Sequence, residues 1–89
     1  MALAAVLLTS KDYVAWRQLF DSEAAAAMRK AGGITSASTH QSKDDPNTAL
    51  VLLTCASMAE AEAYIANPQL AERWKQAGVV GTPRVEFFQ

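Results

Sequence analysis

Cysteine is close to absent from this chain. Cys55 is the only one, so neither an intramolecular disulfide nor a cysteine-based zinc cluster can form within one chain. That scarcity suits a reducing, cytoplasmic setting. Histidine is as rare, and a lone His40 makes no metal site by itself. No Cys-x-x-Cys loop of the kind copper carriers use is present. Basic runs are missing too: eight Lys and Arg stand against nine Asp and Glu, for a net charge of −1. Nucleic acid and anionic membrane surfaces are therefore poor partners. Glycine is sparse, and its one doublet, Gly32-Gly33, lacks the spacing of a phosphate-cradling loop. The apolar run Ala2–Leu8 is too short to span a bilayer and has no basic residues before it, as a secretory signal would. Repeats, linkers and low-complexity tracts are lacking as well.

What remains is a chain of 89 residues, 51% of them hydrophobic, sized for one domain over residues 1–89. A chain this short buries only about 60–65% of its unfolded surface, and small domains often bury more by association. Much of the apolar fraction is alanine, which contributes little area per residue.

Hydrophobic spacing divides the chain. Residues 3–9 form an apolar run of strand length. Tyr13, Trp16, Phe20, Ala24, Ala27 and Ala31 recur every three or four residues, one helical stripe after a cap at Ser10 or Asp12, with a bend expected near Asp21-Ser22. Gly32-Gly33 closes that helix behind Arg29 and Lys30. Residues 34–41 are β-compatible but polar, residues 42–47 are turn-forming, and residues 48–55 are apolar on both faces, so the three read as a hairpin. Ser57 to Glu60 matches a capping box, with Met58, Ala61 and Ile65 inward and Tyr64 at the helix edge. Asn67-Pro68 restarts a helix with a stripe of Leu70, Trp74 and Ala77, which Gly78 stops. Residues 83–88 alternate as a last strand.

The order is β-α-β-β-α-β, the ferredoxin-like α+β plan. It implies a four-stranded antiparallel sheet ordered 4-1-3-2 with helices on one face. The two most apolar segments take the central positions. Strands in such a sheet should alternate, yet Leu3, Leu7, Leu50 and Leu52 make the central pair apolar on its second face also. A second subunit packed sheet to sheet resolves this, so a homodimer is expected.

Several phrases together resemble a known family. They are Asp12-Tyr13-Val14-Ala15-Trp16 with Phe20-Asp21, Arg29-Lys30-Ala31-Gly32, Asp44-Asp45-Pro46-Asn47, Pro68-Gln69-Leu70, Ala77-Gly78-Val79 and Pro83-Arg84-Val85-Glu86-Phe87. Over nearly the whole chain they look like the small cyclase-like or antibiotic-biosynthesis-monooxygenase-like proteins of the dimeric α/β-barrel superfamily. The resemblance implies a homodimer with a pocket between helices and sheet in each subunit. It also implies activities such as cofactor-free oxygenation, cyclisation or isomerisation. Fold alone does not choose among these. Relatives often carry His or Arg on the first strand, Arg on the second and Trp ending the third. This chain has Leu7 and Leu8, Ser38 or Gln41, and Cys55 there. A less charged pocket and a neutral, apolar ligand follow.

The residues themselves offer few chemical groups. His40 is a candidate general base, against an ordinary exposed strand residue before a turn. Tyr13 and Tyr64 are candidate hydrogen-bond donors to a carbonyl or enolate oxygen, against phenols at a helix edge with their tips in water, the reading that suits Tyr64 better. Trp16, Phe20 and Trp74 are candidate stacking walls, against simple core. Ser38, with Ser36 and Thr39, is a candidate polar contact beside His40, against an edge strand made polar to resist aggregation. Cys55 reads as core, and Arg17 and Arg29 as solvated helix charges. Two functions remain open. One is a cofactor-free, metal-free protein that binds or converts a small hydrophobic or aromatic metabolite as oxygenase, cyclase or isomerase. The other is a non-catalytic ligand-binding or structural homodimer.

Overall fold

The computed structural model describes residues 1–89. Its elements are β1 (Ala2–Thr9), α1 (Tyr13–Phe20), α2 (Glu23–Ala31), β2 (Ile34–Gln41), β3 (Thr48–Cys55), α3 (Met58–Ala66), α4 (Pro68–Gln76) and β4 (Arg84–Phe88). All pairings are antiparallel, in the order β2-β3-β1-β4. This is the expected 4-1-3-2 sheet read from its other edge. No helix is long and apolar enough to cross a membrane.

Each helix begins where a short polar side chain takes up free backbone N–H groups. Asp12 Oδ1 accepts from Val14 N and Ala15 N at 3.0 and 3.3 Å. Ser22 Oγ accepts from Ala25 N, Ser57 Oγ from Glu60 N, and Asn67 Oδ1 from Gln69 N ahead of Pro68. Each such cap is worth about 1 kcal/mol. Ser10 does not cap α1. It continues β1 and bridges to Val79, with its side chain buried.

The cap at Ser22 changes the phase of the helical stripe. Tyr13, Trp16 and Phe20 face inward as expected, but Ala24, Ala27 and Ala31 are exposed. The break at Asp21-Ser22 starts a new helix, whose inward residues are Ala25, Met28 and Arg29. The bend foreseen from the sequence is therefore real, and a single stripe carried across it is not.

Alternation on the central strands assigns two faces. Ala2, Ala4, Val6 and Leu8 of β1 are buried beneath the helices, as are Ala49, Val51, Leu53 and Cys55 of β3. Trp16, Ala61, Tyr64 and Leu70 close that core from the helix side. The opposite face carries Leu3, Ala5 and Leu7 beside Thr54, Leu52 and Leu50. No element of this chain covers it, and Leu7 remains 44% exposed and Phe88 48%.

Two features of the frame predict stability changes. Gly33 follows α2 with φ +84°, and a Cβ there would run into the Glu60 side chain. Gly33→Ala should therefore cost about 1–2 kcal/mol, read as a lower urea midpoint. The Ser10 hydroxyl is buried with no hydrogen-bond partner. Ser10→Ala should leave the midpoint unchanged or raise stability by up to about 1 kcal/mol; a clear loss would mean the hydroxyl is satisfied.

Candidate functional site

A cavity of about 70 Å³ lies between the helices and the sheet. Val6, Leu8, Val51 and Leu53 form its floor. Trp16 and Phe20 of α1 wall one side, and Leu70 and Trp74 of α4 another. The aromatic wall is continuous: Tyr13 and Trp16 ring centroids are 5.8 Å apart, and those of Trp16 and Phe20 5.3 Å. Spacings and tilts of this kind suit the quadrupoles of stacked rings. Tyr13 itself stands at the outer end of this row and does not line the cavity.

Polar groups reach the cavity from α2, α3 and α4. Arg29 lies half-buried over the Phe20 ring, its guanidinium carbon 4.0 Å from the centroid, and Nη1 donates to Phe20 O at 2.9 Å. Burial lowers its pKa from the ordinary arginine value, against the raising effects of Tyr64 and Asp21. Tyr64 is buried, 8% exposed, and not at a helix edge. Burial pushes its phenol up, while Arg29 and Arg73 pull it back down. Arg73 joins the lining beside Trp74. The strands bring no charge to the cavity, in keeping with the less charged pocket expected from the missing strand residues, but two guanidiniums do line it. The cations come from the helices instead.

The sequence candidates divide between the two faces of the sheet. Trp16, Phe20 and Trp74 come together on the helix side. His40 and Ser38 lie on the other face, where they pair with Leu50 and Leu52. There Ser38 Oγ and His40 Nε2 are 3.1 Å apart. The cause is a bulge between Ile34 and Ser36. Strict alternation from the inward Ile34 would have turned Ser36, Ser38 and His40 inward as well. One extra residue reverses the strand. Thr39 points to the helix side instead, where Arg17 Nη1 donates to its hydroxyl. Arg17 is held by Asp21 at 2.9 Å, and that bond raises its pKa. Cys55 is fully buried, and burial, with Glu60 nearby, pushes its thiol up. It has the character of core rather than of a nucleophile.

Sequence reasoning does not place Arg29 or Arg73 in the site, and it weighs Tyr64 as a phenolic donor but favours an edge phenol with its tip in water. A signal for Arg29 exists: counting from Ser22 as the cap, Ala25 and Met28-Arg29 share one face of α2. Arg73 likewise lies between Leu70 and Ala77 at helical spacing.

Residues 6–79 match the family described as Domain of unknown function (DUF3764). Among curated proteins, none matches the chain by sequence. Solved structures do match. SnoaB, a cofactor-independent oxygenase from Streptomyces nogalater, is 13% identical with a TM-score of 0.74, over 99% of this chain and 90% of that one. A monooxygenase from the gene ActVA-Orf6 of Streptomyces coelicolor, in complex with nanaomycin D, is 20% identical with a TM-score of 0.71, over 99% and 85%. An antibiotic biosynthesis monooxygenase is 11% identical with a TM-score of 0.69, over 100% and 97%. At these identities the likeness is one of fold. It agrees with the resemblance that the sequence phrases carry.

The buried phenol predicts a pH dependence. Tyr64 has a raised pKa in the folded state. Its contribution to stability is intact below the ordinary tyrosine value of about 10 and is lost as pH rises through the folded value. Urea midpoints measured from pH 8 upward should fall at the alkaline end, and Tyr64→Phe should fall less steeply. Equal slopes would show that this phenol is not linked to unfolding.

Proposed function

For a chain that belongs to the DUF3764 family, we propose a homodimer of one domain per chain, packed sheet to sheet. Each subunit binds a small hydrophobic or aromatic metabolite in the cavity beneath its helices. The observation that carries this reading is the cavity itself, with an aliphatic floor and Trp16, Phe20 and Trp74 as walls. Pockets of this make-up hold flat apolar bodies by burial and stacking. The bare second face supports the dimer. Its centre is Leu3, Leu7, Leu50 and Leu52, and its rims carry Ser38 and His40 on one edge and Arg84 and Glu86 on the other. Two such faces packed about 10 Å apart would bury the apolar centre of each.

The chemistry we infer is oxygenation of an electron-rich aromatic without a bound cofactor. Enol-based cyclisation or isomerisation is the related option. SnoaB, similar in fold, is named as a cofactor-independent oxygenase. Tyr13 remains a candidate donor at the outer end of the aromatic row. His40 remains a candidate base only for a ligand that reaches the sheet's other face. A second reading is favoured by one specific feature: neither an imidazole nor a carboxylate lines the cavity. A binding protein without turnover needs no such group.

Sedimentation at micromolar concentration tests the assembly. A dimer is expected, and Leu7→Arg or Leu52→Arg should convert it to a less stable monomer. A monomeric wild-type chain would overturn the proposal. Titration with an anthrone, followed by tryptophan fluorescence and oxygen uptake, tests the site. Quenching with uptake supports the oxygenase reading, quenching alone the binding reading, and neither would remove both.

A further inference from the structure

Charge in the cavity lining is of one sign. Arg29 and Arg73 are its charged residues, with no Asp or Glu among the lining side chains. Neither forms an ion pair. The pairs in this chain are Arg17–Asp21, Lys43–Asp44 and Arg84–Glu86. Asp21, whose charge is felt by Arg29, is already held by Arg17 Nε at 2.9 Å. Arg29 uses Nη1 on Phe20 O, which leaves most of its five donors free. The Tyr64 phenol sits within the field of both guanidiniums. A half-buried guanidinium without a counter-ion is unfavourable, and an anion placed beside it restores what burial removed.

We propose that the cavity takes an aromatic anion. Its ring lies against Trp16, Phe20 and Trp74, and its carboxylate or phenolate meets Arg29 and Arg73, with the Tyr64 hydroxyl donating. The proposal rests on the ligand-binding reading above and narrows it from any apolar metabolite to an anionic one. Size narrows it again. A cavity of about 150 Å³ is needed to enclose benzene, roughly twice the 70 Å³ present. A single ring is therefore the most that can be enclosed, and only with a wall displaced. Space for the remainder lies next door. Phe20 and Arg29 also border a broad groove of about 670 Å³ between α1, α2 and β2. The stacked Phe20–Arg29 pair is thus a partition between cavity and groove. Swinging it toward the groove widens the cavity and keeps the guanidinium at the ligand's charged end.

Benzoate and its neutral counterpart benzamide separate the possibilities, titrated at pH 7.5 and low salt by calorimetry and tryptophan fluorescence. Benzoate should bind at least about tenfold more tightly than benzamide. Arg29→Gln and Arg73→Gln should each weaken benzoate by about tenfold and change benzamide much less. Arg29→Lys should recover part of the loss. An unchanged circular dichroism spectrum and urea midpoint certify that each variant is folded. Equal affinity of the wild type for the two probes overturns the anion proposal and leaves the aromatic cavity standing. Benzoate binding that survives the double Arg29→Gln, Arg73→Gln variant places the anion elsewhere and overturns it too. Failure of both probes to bind the wild type overturns the proposal together with the reading beneath it.

Discussion

The pairing of β1 with β3 runs without interruption from Ala2–Cys55 to Thr9–Thr48, and the other elements take their places from it. Because the two strands are in register, their alternate residues form one continuous apolar floor, on which the helices pack. β4 adds to the free edge of β1, and β2 to the free edge of β3. The residues on the floor are small or branched, from Ala2, Ala4 and Ala49 to Val6 and Val51. Trp16, Tyr64 and Leu70 are the large residues that meet this floor from the helix side. The cavity lies among these larger residues, above Val6, Leu8, Val51 and Leu53. It is where a sheet of small side chains meets helices carrying large ones.

The second determinant is a pair of interruptions, one in each half of the fold. The cap at Ser22 divides the first helical segment, and Asn67-Pro68 divides the second. A continuous helix from residue 13 to 31 would have kept the phase of Trp16 and Phe20 and sent Ala24 and Ala27 inward. The break instead turns Arg29 toward Phe20 and the cavity. In the second segment, the restart at Pro68 turns Arg73 and Trp74 the same way. Charge reaches the site through helix rephasing, not through the strands.

Much of the fold was legible because local signals and global pattern agree. β2 and β3 have the bounds that the polar-to-apolar change implied, and Asp12, Ser57 and Asn67 cap where their side chains permit. The site was less legible, and two particular residues show why. Thr35 sits at a bulge that nothing in Ile34-Thr35-Ser36 announces, so the face of His40 and Ser38 was not to be had from spacing. Arg29 has the look of a last-turn cation answering the helix dipole, and it is one. That it also stacks on Phe20 depends on the angle between α1 and α2, a tertiary property. Tyr64 was misjudged for the same reason: its burial comes from elements distant in sequence, with Gly32 against its ring.

Interleaving on β1 has a consequence for how this chain can vary. Even-numbered residues from Ala2 to Leu8 face the helices, and odd-numbered residues from Leu3 to Thr9 face away. The two sets answer to different demands, and a change in one leaves the other in place. Changes in the cavity floor and changes in the bare outer face can thus proceed separately along the same eight residues. The strand's length is another matter. Losing a single residue inside β1 would reverse every strand residue on one side of the gap; a loss ahead of Val6 that shifts the later residues would present Leu7 to the helices and Val6 and Leu8 to the outside. Divergence in β1 is therefore open to substitution and closed to insertion or deletion. On β2, the extra residue at the bulge is already absorbed at an edge, where no further strand of this chain must follow the shift.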